Sequence, residues 1–307
     1  MDLKSKIVLI SGPTASGKSS FAIKLAKKIN GEIINADSMQ VYKDFQILSS
    51  RPSKNELRLV KHHLYGFQSS GALFSTGKWL KLVKNKIDSI VKKGKVPILV
   101  GGTGLYFKAI TDGISKIPNI KPSDRDRIRN LHKRIGQQKF YEKLIKLDFL
   151  SKNKILPTDT QRILRAYEVK KYTKKSIYEW AKKTKPLFAN YEIKKFFINT
   201  PKHQLLKNIE LRTNSMIRKK CVDEVIKFKK KRLKKSLSPN KIIGVQEIQR
   251  FLDGDLDQKS LIELINIKTR QYAKRQKTWS RAHMIDWHMI YSSNSSILLK
   301  KILNLVS

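Results

Sequence analysis

Eight residues near the start of the sequence have the types and spacing of a phosphate-binding loop: Gly12-Pro13-Thr14-Ala15-Ser16-Gly17-Lys18-Ser19. The two glycines would let the backbone curl so that its amides converge on phosphate oxygens, and the start of a helix would add positive charge. Lys18 would neutralise the terminal phosphate, and the Ser19 hydroxyl would reach a Mg²⁺ held by the phosphates. The loop therefore predicts a polyphosphate site with Mg²⁺ as cofactor.

Asp37 is the acidic residue that would act beside this loop. NTPases with such a loop usually place an Asp at the end of an apolar strand, but the apolar run Pro97–Val100 ends in Gly101-Gly102-Thr103-Gly104. Asp37 instead follows the run Glu32–Ala36, and a parallel sheet would bring it to the phosphate loop. An ordinary ATPase is therefore disfavoured. Asp37 has two possible roles: a base that faces the substrate, or a cap at the start of the next helix.

The elements that would position these residues have the pattern of βα units around a parallel sheet. Short apolar runs predict strands at Lys6–Ile10, Glu32–Asn35, near His63–Tyr65, Val96–Val100, Lys195–Asn199 and Met284–Ile290. Apolar residues at three- and four-residue spacing predict helices at Ser19–Ile29, Lys78–Lys93 and, strongly basic, Lys227–Lys235. The expected fold class is α/β, a P-loop NTPase-like parallel sheet flanked by helices.

A change of composition in the middle of the chain predicts a helical insertion domain. The stretch Ile117–Pro122 is typical of a linker, and the residues after it are charged, helical and almost free of strand patterns. We therefore expect a core of residues 1–115 and 191–307, which ends in basic helices, and an insertion of residues 116–190.

Composition limits the classes of function. The 66 Lys+Arg against 24 Asp+Glu give a net charge of +42, which favours nucleic acid as a partner, although a genome-wide compositional bias would produce the same excess. No apolar run has the roughly 18 residues of a membrane helix, and Ile7–Ile10 is too short for a signal-peptide core. We expect no membrane partner and a cytoplasmic protein. One cysteine and scattered histidines exclude a disulfide framework and a zinc site.

Seven motifs follow one another along the chain: Gly12–Ser19, Ala36–Tyr42, His62–Leu64, Val100–Tyr106, Asp159–Val169, Ile243–Glu247 and Thr269–Trp279. Together they resemble the tRNA dimethylallyltransferase family, the bacterial tRNA isopentenyltransferases. The phosphate loop alone is generic, whereas the ordered combination is specific and spans nearly the whole chain. One departure is Val245, which stands where an aromatic residue is common in the family.

The resemblance implies transfer of a dimethylallyl group from dimethylallyl diphosphate to N6 of the adenosine 3′ of the anticodon in tRNA, with release of diphosphate. The insertion would grip the anticodon stem-loop, and we expect a monomer. An allylic carbon ionises readily once its diphosphate is stabilised, which would be the role of the phosphate loop, Lys18 and Mg²⁺. The exocyclic amine is a weak nucleophile, so Asp37 would accept its proton as the new bond forms.

Thr103 is the second catalytic candidate that this resemblance implies. Its hydroxyl would orient the amine or a phosphate oxygen, and the flanking Gly102 and Gly104 would let a nucleobase and an allyl chain approach the backbone. The alternative is a tight turn in which Thr103 caps the following helix.

The resemblance also implies contacts to tRNA, because the adenosine must leave its stack and be read in a pocket. Arg162 and Arg165 would share a helical face that clamps the RNA backbone, although a solvated basic helix would have the same pattern. The loop around Arg125 is poorly defined by sequence, so Arg125 is a weaker candidate. The implied tRNA-binding residues are Asp37, Ser38, Met39, Gln40, Thr103, Arg125, Gln161, Arg162, Ile163, Leu164 and Arg165.

Three other functions share part of this pattern. A small-molecule kinase would use the same loop with ATP turnover and an arginine-bearing lid. An isopentenyltransferase acting on free adenine nucleotides would need neither the insertion nor so many basic residues. A non-catalytic RNA-binding protein would explain the charge but not the phosphate loop together with Asp37.

Overall fold

A computed structural model describes residues 6–291 and 295–306 of the 307-residue chain. Six strands in these residues form one sheet in the order β3-β2-β4-β1-β5-β6, and every pairing is parallel. The strands are β1 (Lys6–Ser11), β2 (Gly31–Asn35), β3 (His62–His63), β4 (Val96–Gly101), β5 (Glu192–Asn199) and β6 (His288–Tyr291). The predicted α/β class with a parallel sheet is confirmed.

Burial explains why the central strands are nearly continuous apolar runs. β1 and β4 are buried along their whole length, as expected where helices cover both faces of a parallel sheet. Ser11 at the end of β1 lies opposite Gly101 of β4, and Asn35 at the end of β2 lies opposite Val100. The carboxyl ends of these three strands therefore meet at one edge of the sheet, where the loops with chemical groups begin.

The chain divides into two compact units. One comprises Met1–Ile110 with Phe188–Ser307 and contains the sheet, whereas the other comprises Thr111–Leu187 and is helical. The helical unit begins a few residues before the expected boundary at residue 116, because the side chain of Ser115 already hydrogen-bonds Thr184 near the other end of this unit (2.9 Å).

The helices are divided between the two units. In the first unit they are α1 (Lys18–Lys28), α2 (Lys54–Leu59), α3 (Thr76–Val91), α4 (Gly104–Thr111), α9 (Lys202–Arg218), α10 (Cys221–Lys229), α11 (Val245–Leu252), α12 (Gln258–His283) and α13 (Ser295–Val306). The helical unit has α5 (Pro122–Ile135), α6 (Gln137–Leu147), α7 (Thr160–Thr173) and α8 (Ile177–Lys182). Among the residues described, no helix is long and apolar enough to span a membrane.

The helical unit has a hydrophobic core of its own. Ile128 of α5, Phe140 of α6 and Ile163 of α7 are fully or almost fully buried in it. A polar anchor closes one end, where the buried Asp148 carboxylate accepts hydrogen bonds from the hydroxyls of Ser151 (3.0 Å) and Ser176 (2.8 Å). The charged surface predicted from the sequence therefore encloses a packed interior.

Two C-terminal predictions are wrong in their limits. The strand expected at Met284–Ile290 begins only at His288, because α12 extends to His283 and residues 284–287 form a turn. The helix expected over Lys227–Lys235 ends at Lys229, and Arg232 has a left-handed backbone (φ 48°) that cannot continue a right-handed helix. The second half of this basic run is a turn and loop.

A buried charge cluster joins the sheet edge strand to its neighbours. Glu32 of β2 is 2% exposed, with His63 Nε2 at 2.7 Å and Lys95 Nζ at 2.9 Å from its two carboxylate oxygens. Burial by itself would raise the pKa of Glu32, but the hydrogen bonds and charges of Lys95 and His63 lower it below its ordinary value. The carboxylate is therefore ionised and fully engaged at neutral pH.

We predict that Glu32→Gln lowers the free energy of unfolding by about 2 kcal/mol at pH 7, because it leaves the Lys95 ammonium without its buried counter-charge and weakens the hydrogen bond with His63. Since the pKa of Glu32 is lowered in the fold, this difference should shrink as the pH falls through that pKa and Glu32 becomes protonated. Urea unfolding at several pH values measures it. Asp88→Asn, which breaks the exposed pair of Asp88 with Lys84, is the control and should cost less than about 0.5 kcal/mol.

Candidate active site

The phosphate loop has the backbone that its sequence predicts. Ala15 and Gly17 are left-handed (φ 63° and 80°), and α1 begins directly after them at Lys18. Thr200 and Asn208 hold the loop from outside, because their side chains donate to its carbonyls at 3.1 and 3.0 Å. The loop is therefore shaped by the protein itself, and the amides at the start of α1 face an anion site.

Lys18 and Ser16 place polar groups inside this loop. Lys18 Nζ donates to the carbonyl of Pro13 (3.1 Å). Burial lowers the pKa of Lys18 to about 8, while the negative charge of Asp37 opposes this shift and the positive charge of Arg212 adds to it. Within the described residues, the buried Ser16 hydroxyl has no hydrogen-bond partner. A buried ammonium and an unpaired hydroxyl are groups that a bound anion would satisfy.

Asp37 is held rigidly at the end of β2. The fully buried Asn35 side chain accepts from the Asp37 amide (2.8 Å) and donates to the carbonyls of Asp37 and Leu64 (both 3.0 Å). One carboxylate oxygen of Asp37 accepts from the Met39 amide (2.9 Å). The described residues between Asp37 and α2 form turns, so the helix-cap alternative is wrong, and the side chain lines the same cavity as the phosphate loop.

Thr103 connects the loop after β4 to the loop after β2. Its hydroxyl accepts from the Ser38 amide (2.9 Å) and donates to the Ser38 hydroxyl (3.2 Å). The side chain therefore points to the residue beside Asp37, while the Thr103 carbonyl accepts from the amides of Tyr106 and Phe107 at the start of α4 (2.9 and 3.4 Å). The two catalytic candidates from the sequence lie on adjoining loops.

The glycines around Thr103 make room for protein side chains. A Cβ on Gly102 would lie 2.2 Å from Nε2 of Gln276, and a Cβ on Gly104 would lie 2.2 Å from the ring of Trp279. Side chains of α12 therefore fill the space that a Cβ would take at both glycines, and the approach of a nucleobase and an allyl chain to this backbone stays a prediction.

Arg212 is a site residue that the sequence reasoning missed. It lies on α9, and its guanidinium donates to the Thr14 hydroxyl at 2.5 Å. Burial lowers the pKa of Arg212, and the charge of Asp37 opposes that shift. A planar guanidinium beside a phosphate loop is suited to bidentate contact with a diphosphate. No local motif marks this arginine, which is one basic residue among many.

Three cavities surround these groups in the described part of the chain. The largest, about 880 Å³, is lined by the phosphate loop with Asp37, Arg51, Arg212 and Lys219. A second, about 260 Å³, shares Asp37 and Arg212 with it but is walled by Met39, Leu48, Met216, Ile242, Ile243 and Ile265. A third, about 330 Å³, contains Ser38, Thr103, Leu105, Tyr272, Arg275 and Trp279. We call them the phosphate, apolar and outer cavities.

The groups present fit a Mg²⁺ that a diphosphate carries. No cluster of three or more His, Cys, Asp or Glu that could hold a metal exists in residues 6–291 and 295–306. Ser19 lines the phosphate cavity together with the phosphate loop and supplies one hydroxyl oxygen. A hard oxygen donor of this kind suits Mg²⁺, which keeps waters and phosphate oxygens as its other ligands.

The remaining residues of the Ala36–Tyr42 motif have internal partners. The Gln40 amide donates to the carbonyls of Ser49 and Ser50 at 3.0 and 2.8 Å, and it lines the phosphate cavity. Met39 packs against the adjacent hydrophobic core. These contacts hold the cavity wall in place.

In the helical unit, the predicted tRNA-binding residues of α7 divide by face. Gln161 and Arg162 are exposed, and Arg162 pairs loosely with Asp159 (3.4 Å). The side chains of Ile163 and Leu164 are 0% and 8% exposed in the core, so their predicted contact with tRNA is wrong for those side chains. Successive residues of a helix point to different sides, so a continuous motif on α7 cannot present all its side chains on one surface.

Arg129 and Arg165 pair with one buried acid, and Arg125 lies near Arg165. Arg165 and Arg129 lie 3.6 and 3.7 Å from the carboxylate of Glu168, which is 3% exposed. Burial lowers the pKa of Arg165, Glu168 opposes this, and the nearby Arg125 adds to it. Arg125 lies on α5 and not in the loop expected from the sequence, and its buried Nε is unpaired among the described atoms.

Val245, where the family often has an aromatic residue, is fully buried at the start of α11 in the hydrophobic core. A stacking role is therefore unavailable to its side chain. The Val245 side chain contributes to packing of the hydrophobic core.

A family model described as IPP transferase matches residues 40–283, most of the chain. The chain belongs to the IPP transferase family. A tRNA dimethylallyltransferase of Pelagibacter ubique is 54% identical over 94% of this chain and 92% of its own length. The solved tRNA isopentenylpyrophosphate transferase of Bacillus halodurans matches with a TM-score of 0.71 and 28% identity over 98% of this chain and 95% of that one. The resemblance predicted from the motifs and the prenyltransferase class are confirmed.

A eukaryotic dimethylallyltransferase acting on tRNA has a TM-score of 0.81 at 25% identity, with 95% of this chain and 75% of that chain covered. The P-loop-like architecture of this IPP transferase is thus shared across widely diverged sequences.

We predict that Arg212→Ala weakens the binding of inorganic diphosphate by at least about tenfold, because a charge-assisted contact is lost. Arg212→Lys should recover only part of the affinity, since an ammonium lacks the planar donor pair. Isothermal titration calorimetry measures both. Arg218→Ala, at the exposed end of the same helix, is the control, and an equal loss there would show that only overall charge matters.

A second prediction concerns pH. Because the pKa of Lys18 is lowered to about 8, its side chain is positively charged below that pH and becomes neutral above it. The affinity of wild type for metal-free inorganic diphosphate, divided by that of Lys18→Arg, should therefore fall as the pH rises through 8. The ratio cancels the ionisation of diphosphate itself, and arginine stays charged throughout. A ratio that does not change with pH would contradict the assignment.

Proposed function

We propose that this IPP transferase moves a dimethylallyl group from dimethylallyl diphosphate to N6 of the adenosine 3′ of the anticodon in tRNA, releasing diphosphate. The observation that carries the proposal is the placement of Asp37 in one cavity with the phosphate loop, Lys18 and Arg212. A general base and an anion site at one point are what a transfer to a weakly nucleophilic amine requires.

The donor half of the reaction belongs to the phosphate cavity. The loop amides, Lys18 and Arg212 would bind the diphosphate and stabilise the charge that grows on it as the allylic carbon–oxygen bond breaks. Mg²⁺, held by Ser19 and the phosphates, would add Lewis-acid stabilisation of the leaving group. The apolar cavity opens beside Asp37 and Arg212 and would shelter the five-carbon chain from water.

The acceptor half belongs to the loops after β2 and β4. The adenosine would enter with its exocyclic amine toward Asp37, and the carboxylate would take the proton as the new carbon–nitrogen bond forms. Thr103, fixed through Ser38, would set the position of that amine. The outer cavity, with exposed Leu105 and the Trp279 ring, offers surfaces on which unstacked bases bind.

The insertion would hold the anticodon stem-loop through the exposed Gln161 and Arg162 and the basic cluster of Arg125 and Arg165. Such contacts neutralise phosphates and make binding salt-dependent. A tRNA acceptor implies a cytoplasmic location, and we propose that a single chain is the active species.

The direct experiment is transfer to competing acceptors. Purified protein with Mg²⁺ and dimethylallyl diphosphate is given total tRNA or AMP, and digested products are searched by mass spectrometry for adenosine with one added C5 unit. Product from tRNA alone supports the proposal. Product from AMP indicates a nucleotide-level transferase, and no C5 product from either acceptor would favour a kinase.

We predict that Asp37→Asn lowers the single-turnover rate by roughly 10²–10⁴-fold, because the proton acceptor is removed. Its affinity for inorganic diphosphate should stay equal or increase, since a negative charge near Lys18 is lost. Asp44→Asn is the matched control on the same stretch of chain, where Asp44 pairs with Lys231 (2.6 Å). An unchanged rate in Asp37→Asn would remove Asp37 from the role of base.

A further inference from the structure

Gln276 of α12 touches both loops that the reaction needs. Its Oε1 accepts from the backbone amide of Thr14 in the phosphate loop (2.8 Å), and its Nε2 donates to the carbonyl of Gly102 in the loop after β4 (2.9 Å). The three residues come from distant parts of the chain. One side-chain amide therefore ties the donor loop to the acceptor loop.

The two partners impose a unique orientation on this amide. The Thr14 N–H requires an acceptor and the Gly102 carbonyl requires a donor, so each end of the glutamine side chain has one assigned place. Glutamate would face the carbonyl with an oxygen, and alanine would reach neither loop. A Cβ on Gly102 would lie 2.2 Å from Nε2, so any side chain at residue 102 would push this amide aside.

Both partners lead directly to groups of the proposed reaction. The hydroxyl of Thr14 accepts from Arg212, which belongs to the anion site. Gly102 precedes Thr103, whose hydroxyl holds Ser38 beside Asp37. A displacement of Gln276 would therefore change the spacing between the diphosphate and the acceptor base.

We propose that Gln276 is a positioning residue that holds the phosphate loop and the Gly102–Thr103 loop at the separation required for group transfer. The inference rests on the proposed function, because this separation matters only if a group passes from one loop to the other. Misplacement of reacting groups by about 1 Å is enough to cost on the order of 10²-fold in rate.

The test compares Gln276→Ala, Gly102→Ala and the double variant in single-turnover transfer to tRNA. Each single variant should lower the rate by at least about tenfold with much smaller changes in the affinities for tRNA and inorganic diphosphate. Since both changes remove the same bridge, the double variant should be no slower than the slower single variant within about twofold. Losses that multiply, or single variants with wild-type rates, would overturn the proposal.

Gln258→Ala is the matched control, because Gln258 is an exposed glutamine at the first turn of the same helix. It should leave the rate unchanged. If Gln276→Ala does not fold, Gly102→Ala carries the test alone, and a rate loss that merely follows a loss of folded protein counts against the proposal.

Hydrogen exchange at the Thr14 amide separates this inference from the proposed function. Exchange should be faster in Gln276→Ala and Gly102→Ala than in wild type and unchanged in Gln258→Ala. An inactive wild type would refute the proposed function, whereas equal exchange in Gln276→Ala and wild type would refute the bridge.

Discussion

Parallel pairing of β2, β4 and β1 is the constraint on which the rest of the structure depends. It aligns the carboxyl ends of three strands, so the phosphate loop, Asp37 and the Gly102–Thr103 loop all begin at one edge. Residues more than 60 positions apart in sequence, such as Ser38 and Thr103, then come within hydrogen-bond distance. The helices α9 and α12 add the remaining groups from the side.

The electrostatics of the site follow from this crowding. Lys18 and Arg212 are desolvated, which lowers both pKa values, and Asp37 is the acid whose charge opposes that shift in each case. A bound diphosphate would supply far more negative charge than one carboxylate. The site thus holds two positively charged groups where little water reaches them, and there they stabilise a leaving anion most strongly.

Much of the fold, the phosphate loop and Asp37 can be predicted from the sequence. Apolar runs identify strands because the sheet is buried on both faces, and the phosphate loop and Asp37 follow directly from strand ends. Arg212 could not be found this way, because it lies outside every motif. The role of Gln276 could not be found either, although this residue belongs to the Thr269–Trp279 motif, because it acts through partners far along the chain. The side chains of Ile163 and Leu164 face the core although they lie in the same motif as the exposed Gln161 and Arg162, because a helix turns successive residues to different sides.

The basic residues that give the net charge of +42 fall into two groups. Some basic residues form defined pairs, such as Lys95 with Glu32 and Lys231 with Asp44. Others, such as Arg162, are exposed on the helical unit. Net charge alone does not distinguish these two groups. The burial of each basic residue and its ion-pair partners do.

The most direct test of the central claim is a crystal structure with an anticodon stem-loop and an unreactive analogue of dimethylallyl diphosphate. The account predicts the diphosphate on the phosphate loop, Lys18 and Arg212, with the adenosine N6 within about 3 Å of the Asp37 carboxylate. A complex in which the adenine amine lies away from Asp37, or the diphosphate away from the loop, would contradict it.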